Sequence, residues 1–322
     1  MSDGNLSAGN LSAGNRPPIL VTGAHRTGTT WVGKMLTAGG QAAYISEPLN
    51  LWHRPGVMAE PVDGWYTYIC AENEGRYLPA LLQTLAFQYH TGAEIRSLRS
   101  RKDFLRMCRD WSIFFRGRRF GQRPLLKDPF AVFSAPWFAQ RLGCQVVVTV
   151  RHPAAFASSL KRLAWPFDFG DLLRQPLLMR DLLAPWQGEM EAMLANPDDV
   201  IGQAALLWQM VYSVVADYRN QYPQIQVVRH EDLSRDPLSG FQTLYRSLSL
   251  DFNARARKSI VHSSSSQNPK ELSHHKVHGV QLDSRANLHN WKRRLEPAEI
   301  RQVRAITEDV AACFYPELDW EE

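Results

Sequence analysis

Apolar positions along this chain follow two alternating rhythms. Short runs of apolar or β-branched residues at 19–22, 43–46, 124–126, 146–150 and 225–229 read as strands. Between them, apolar residues recur three and four apart over 30–38, 78–90, 98–115, 135–141, 154–163, 201–220, 238–248 and 297–312, which predicts helices. Strands and helices in alternation predict a mostly parallel sheet flanked by helices. The run Val146-Val-Val-Thr-Val150 has no polar face and predicts a strand buried on both sides. Residues 1–15 repeat Asn-Leu-Ser-Ala-Gly and predict a disordered tail. The rest, 16–322, reads as one α/β domain. Its stretch 164–200, rich in Pro, Trp and Asp, reads as an irregular insertion.

The first strand leads directly into chemistry. Thr22-Gly23-Ala-His25-Arg26-Thr27-Gly28-Thr29-Thr30-Trp31 joins a strand to a helix through a tight glycine-containing turn. Backbone N–H groups converge in such a turn, and the helix N-terminus adds partial positive charge, so a phosphate is the natural occupant. Arg26 supplies a full charge; Thr29 and Thr30 supply hydroxyls, unless they only cap the helix. Gly23 and Gly28 have the separation of the nucleotide-triphosphate loop, but Thr29 stands where that loop has its lysine. Ordinary ATP or GTP chemistry is therefore disfavoured.

A second segment has a similar character. The strand 146–150 ends in Arg151-His152-Pro153, and Pro153 opens the next helix, which carries Ser158 and Ser159. Arg151 thus sits at the carboxyl edge of the sheet, where open α/β sheets bind ligands. A guanidinium fork and a hydroxyl suit a terminal phosphate. A nucleotide triphosphatase would end this strand in a magnesium-binding aspartate, and none is present.

Taken together, Arg26-Thr-Gly-Thr-Thr-Trp31 and the pair Arg151 and Ser159, eight residues apart, resemble the sulfotransferases that use 3′-phosphoadenosine 5′-phosphosulfate (PAPS). The resemblance implies a P-loop nucleotide-kinase-like fold. It places the 5′-phosphosulfate over Arg26, Thr27, Gly28, Thr29 and Thr30, and the 3′-phosphate at Arg151 and Ser159. Trp31 either stacks on adenine or packs the helix. Glu47, in Ser46-Glu47-Pro48-Leu49, is similar to a glutamate that tyrosylprotein and Golgi carbohydrate sulfotransferases carry after the loop. It is the first choice for catalytic base, with His25 and His53 as alternatives. Pro48 predicts an extended backbone at Glu47. Lys127-Asp128-Pro129-Phe130 resembles a segment whose lysine contacts the transferring sulfuryl group; a surface Lys127–Asp128 ion pair is the alternative. In the C-terminal stretch, Ser284 and Arg285 are implied cofactor contacts, while His289 falls where relatives often have a small polar residue.

Composition changes little. The net charge of +5 suits a doubly phosphorylated co-substrate and is too mild to argue for nucleic acid. Basic residues concentrate between Arg96 and Arg123, interleaved with Phe104, Trp111, Phe114 and Phe115. That mixture fits an amphipathic helix near the acceptor cleft, an RNA-binding face or a plain solvated face. Four scattered cysteines give neither a zinc motif nor a disulfide framework, and His274, His275 and His278 lack metal-site partners. No metal is expected. With no membrane-length apolar run and no signal pattern, a cytoplasmic enzyme is expected. The acceptor is a hydroxyl compound, and Glu-Pro-Leu with Lys-Asp-Pro tilts the reading to a carbohydrate or glycolipid over a tyrosine or a phenolic natural product. A kinase or triphosphatase with a degenerate loop, or a non-catalytic nucleotide-binding protein, are the rival classes.

Overall fold

The structure, a computed structural model, describes residues 16–271, 279–315 and 320. The tail 1–15 and the three histidines at 274, 275 and 278 lie outside the described residues. Five strands, β1 (Ile19–Thr22), β2 (Ala42–Ser46), β3 (Arg123–Lys127), β4 (Gln145–Val150) and β5 (Ile225–Arg229), form one sheet in the order β2-β3-β1-β4-β5. Every pairing is parallel. All carboxyl ends therefore lie at one edge. From β1 the chain crosses over β3 to β2, whereas from β4 it continues outward to β5. Connections thus diverge between β1 and β4, and a crevice opens there beyond the strand ends.

Side-chain alternation sorts the strands onto two cores. Ile19, Val21, Leu125 and Val147 pack with Val32, Met35, Leu36, Phe241, Leu244 and Ile260 on one face. Leu20, Leu126, Val146 and Val148 face the other, larger core, which includes Phe156, Trp208 and Tyr212. Full burial of each such aliphatic side chain contributes about 1.5–3 kcal/mol. The central strands are apolar on both faces because both faces are covered. Among the described residues, one helix is long and apolar enough to cross a membrane, Val200–Gln221, and 72% of its apolar window is buried inside the fold.

Two stretches depart from the sequence pattern. The segment 164–200 is not irregular: it carries short helical turns, including Gly170–Leu173 and Gln187–Leu194. Prolines 176 and 185 open fresh turns there instead of ending structure. An unexpected helix, Ala254–Ser264, is mostly polar and buries only Ala256, Ile260 and Ser263, a spacing of four and three on one narrow face. Its start is secured by Asn253, whose side chain accepts from the Ala256 N–H at 3.0 Å.

Candidate functional site

The loop after β1 is held from both sides. Gly23 has φ +138° and Gly28 has φ +96°; a Cβ on Gly23 would stand 2.4 Å from the Thr149 carbonyl oxygen. Only glycine lets β1 and β4 approach this closely. Thr27 is fully buried, and its hydroxyl donates to the Ala24 carbonyl at 2.6 Å and meets Thr149 Oγ1 at 2.8 Å. Its side chain builds the loop and does not line the cavity, so any contact from Thr27 to a ligand would come from the backbone. Tyr212 donates to the Thr149 carbonyl at 2.8 Å and accepts from the Ala24 N–H at 3.3 Å, which clamps the two loops together. Gly28 is the N-cap of helix Thr29–Thr37, with no side-chain cap and no acid in the first turn. Thr29 and Thr30 do not cap this helix. Its N-terminal field is left facing the cavity that Gly28, Thr29 and Thr30 border.

That cavity has a volume of about 700 Å³ and opens along the carboxyl edge of β1, β2 and β4. It brings together Arg26, Thr29, Thr30, Trp31, Glu47, Arg151, Ser159 and Ser284, which the sequence placed on four separate segments. Arg26 donates from Nε to Ser159 Oγ at 3.1 Å, and Arg151 Nη1 donates to the Arg26 carbonyl at 3.2 Å. The two phosphate-type segments are therefore in direct contact. Arg26 has φ +69°, a left-handed conformation that a non-glycine residue adopts only when its surroundings enforce it.

Two cations here were not read from the sequence. Arg162 and Arg294 also line the cavity. Arg162 lies three residues after Ser159 on helix Pro153–Leu163, the spacing that shares a helix face, so its signal was present. Arg294 comes from the C-terminal segment, donates to Ser158 Oγ at 3.5 Å and pairs with Glu271, and nothing in its local sequence marks it. Burial together with Arg151, Arg162 and Arg294 lowers the Arg26 pKa to about 10. Burial also lowers Arg151, opposed by Glu231 and reinforced by Arg294. The Arg151 Nε and Arg162 Nη1 atoms are buried without hydrogen-bond partners. Four guanidinium groups gathered on one cavity, two of them with orphaned donors, form a site suited to anions.

The other half of the cavity is aromatic. Trp52, Trp65, Phe130, Trp165 and Phe167 line it, with Glu47 and Asn50 supplying polar groups. Trp65 packs at 4.5 Å from Phe130 and edge-on at 5.0 Å against the exposed Trp52. Glu47 follows the last residue of β2 at the strand edge, as expected, but its backbone is not extended: φ is +50°. Its N–H donates to the Lys127 carbonyl at 2.8 Å, and that bond to the neighbouring strand overrides the bias from Pro48. One Glu47 carboxylate oxygen pairs with Lys127 Nζ, and the other accepts from Asn50 Nδ2 at 2.6 Å. Lys127 is buried behind Glu47 and does not line the cavity. Burial opposes its charge, but Tyr44, Glu47 and Asp128 outweigh that and raise its pKa. Asp128 is buried beneath the same loop, accepting from the Leu49 and Phe130 N–H groups. Burial, then Glu47, raises its carboxyl to about 7.

His25 lies between the halves. Burial and Arg26 lower its pKa to about 4, with Glu47 acting in the opposite sense, and Nδ1 meets the Tyr66 hydroxyl at 2.7 Å. At neutral pH it is an uncharged imidazole. His53 is absent from the cavity lining, and its Nδ1 meets the Asn50 carbonyl at 2.9 Å. Trp31 borders the cavity while packing edge-on against Phe241 at 5.1 Å and donating to Ser263 Oγ at 3.0 Å. Ser284 donates to the Ser234 carbonyl at 2.8 Å. Arg285 and the exposed His289 stay outside the lining, and Arg285 donates to the Arg235 carbonyl at 2.9 Å. His230 also lines the cavity, beside Gly28; burial, then Arg151, lowers it to about 3. Among the described residues, no group of three or more His, Cys, Asp or Glu side chains is placed to hold a metal ion.

Comparison with known proteins adds one decisive finding. The family described as Sulfotransferase family matches residues 17–254. No curated protein sequence matches the chain. Among solved structures, the sulfotransferase domain of the Synechococcus PCC 7002 olefin synthase is 16% identical, with a TM-score of 0.45, covering 96% of this chain and 98% of that one. Mouse sulfotransferase SULT7A1, solved in complex with PAP, is 11% identical, with a TM-score of 0.45, covering 94% and 85%.

Proposed function

The chain belongs to the sulfotransferase family, and from that premise we propose that it moves the sulfuryl group of PAPS to an acceptor hydroxyl, leaving 3′-phosphoadenosine 5′-phosphate (PAP). One observation carries this reading: Arg26 and Ser159, from two segments 133 positions apart, touch in a cavity that also holds Arg151 and Glu47. A nucleotide with anionic groups at both ends of its adenosine fits that layout. The uncapped start of helix Thr29–Thr37, Thr29, Thr30 and Arg26 would take the 5′-phosphosulfate. Arg151 and Ser159, with Arg162 and Arg294 nearby, would take the 3′-phosphate. The orphaned Arg151 Nε supports the fit, because an anion there would satisfy a buried donor.

Bound PAPS would supply the sulfuryl group, the bond from its sulfur to the bridging oxygen breaking as the acceptor oxygen bonds to sulfur. Glu47 accepts the hydroxyl proton during that step. The electron pair leaves on the bridging oxygen, where Arg26 and the helix N-terminus offset the growing negative charge. Lys127 acts through Glu47: its ammonium holds the carboxylate in position. His25, neutral at working pH, pins Tyr66 beside the loop.

For the acceptor, the sequence tilt towards a carbohydrate or glycolipid agrees with the walls. Trp52, Trp65 and Trp165 offer flat surfaces that cover the C–H faces of sugar rings, and Asn50 and Glu47 offer hydroxyl partners. Transfer of radiolabelled sulfate from PAPS across a panel of glycans, glycolipids, phenols and tyrosine peptides tests the reading. Sulfation of a sugar hydroxyl is expected. An absence of PAP release with every acceptor, together with an absence of PAP binding, would overturn it.

A further inference from the structure

The helix Arg101–Arg119 takes no part in the site, yet it is the most unusual surface of the molecule. It carries seven cationic side chains and two carboxylates, a surplus equal to the net charge of +5 of the whole chain. Both carboxylates turn inward: Asp103 pairs with Arg54, and Asp110 is buried. Among the described residues, Arg101, Lys102, Arg116, Arg118 and Arg119 form no ion pair. Only Asp110, Phe114 and Gly117 of this helix are buried, so one narrow stripe attaches it to the protein.

Beside that stripe runs an outward apolar one. Phe104, Trp111 and Phe115 fall at i, i+7 and i+11, on one helical face, and Leu105 widens it. These four side chains are 46–68% exposed, and Trp111 stacks on Phe115 at 5.2 Å. Exposed apolar groups on a soluble surface are ordinarily scattered, not gathered on one arginine-fringed helix.

We propose that this helix lies on an anionic lipid surface, with Phe104, Leu105, Trp111 and Phe115 entering the headgroup boundary and the arginines bound to lipid phosphates. Large aromatic residues with an arginine fringe are the composition of an interfacial helix. A second copy of the chain is a poor occupant, because a two-fold contact would face like charges with like. RNA would use the arginines but has no use for Leu105. The surface is also joined to the mouth of the cavity. Arg54 ties Asp103, in the first turn of this helix, and Glu94 to the segment that carries the exposed Trp52. A lipid-borne acceptor would then meet the aromatic half of the cavity without leaving the membrane.

The test is co-sedimentation of the full chain with phosphatidylcholine vesicles, with and without phosphatidylglycerol. Expected is binding to the anionic vesicles alone, weakened by salt. The double variant Trp111→Ser, Phe115→Ser should weaken it at least about tenfold, and each of Arg116→Gln and Arg119→Gln about fivefold. An unchanged thermal unfolding midpoint in every variant shows that they fold. Indifference to phosphatidylglycerol, unaltered binding by the variants, or capture of RNA or of a second copy in place of vesicles would each overturn the proposal. None of these outcomes depends on sulfuryl transfer.

Discussion

The two halves of the cavity are built on opposite plans. The half after β1 and β4 is a rigid cationic cradle: glycines at positive φ, the buried Thr27 and Thr149 hydroxyls, and guanidinium groups in excess of carboxylates. The half after β2 and β3 is aromatic and mostly neutral, with one carboxylate held between Lys127 and Asn50. A fixed, doubly anionic nucleotide calls for the first plan, and a replaceable acceptor calls for the second. The comparison predicts that damage should separate cleanly: cofactor affinity fails on one side, and acceptor handling or turnover fails on the other.

The largest effect should come from Glu47→Gln. The amide keeps the shape and the Asn50 contact but cannot accept a proton, so kcat should fall by about 10²–10⁴ while PAP binding by calorimetry stays unchanged. Near-normal turnover would return the role of base to another group, His25 being the nearest. Next is Arg151→Ala, expected to weaken PAP by about 10²-fold, since a buried charge partner is lost. Its acceptor KM should hold. A smaller effect belongs to Trp52→Ala, which should raise acceptor KM about tenfold with PAP affinity intact; a fall in PAP affinity instead would erase the division between the halves.

That division also explains what could be read from the chain beforehand. Arg26 to Thr30 and Arg151 with Ser159 were legible because each anion segment is contiguous or one helix long, so its spacing survives folding. The sheet was legible for the same reason, with strands such as 225–229 carried by local apolar runs. The aromatic half was not. Trp65 and Phe167 come from loops whose positions depend on packing around Phe130 and Tyr66, and Trp165 comes from a loop where it lies against Arg26. Arg294 arrives from the far end of the chain. Thr27 and Arg285 show the converse limit, since a motif names residue types but not which of them turn inward or away from the cavity.

The smallest expected effect is on stability against pH. His25 and His230 are held neutral, with pKa values lowered from 6.5 to about 4 and about 3. Each therefore contributes stability that is complete above pH 6.5 and is lost as acid protonates the unfolded chain first. Asp128, raised from 3.8 to about 7, acts in the opposite sense, its share being lost as pH rises through that window. Two histidines against one aspartate leave a net loss of about 1.4 kcal/mol per pH unit between pH 6 and 4. Urea midpoints at a series of pH values check this, and a flat profile would mean that the two imidazoles are not buried as neutral groups.

The account depends most on the cradle recognising phosphate at both ends of one adenosine. Titration calorimetry of the wild-type protein with PAP and with adenosine 5′-phosphate isolates that claim, since the two ligands differ only at the ribose 3′ position. The 3′-phosphate should tighten binding by about 10²-fold. Equal affinities for the two nucleotides would contradict the assignment of Arg151 and Ser159, and with it the reading of the whole site.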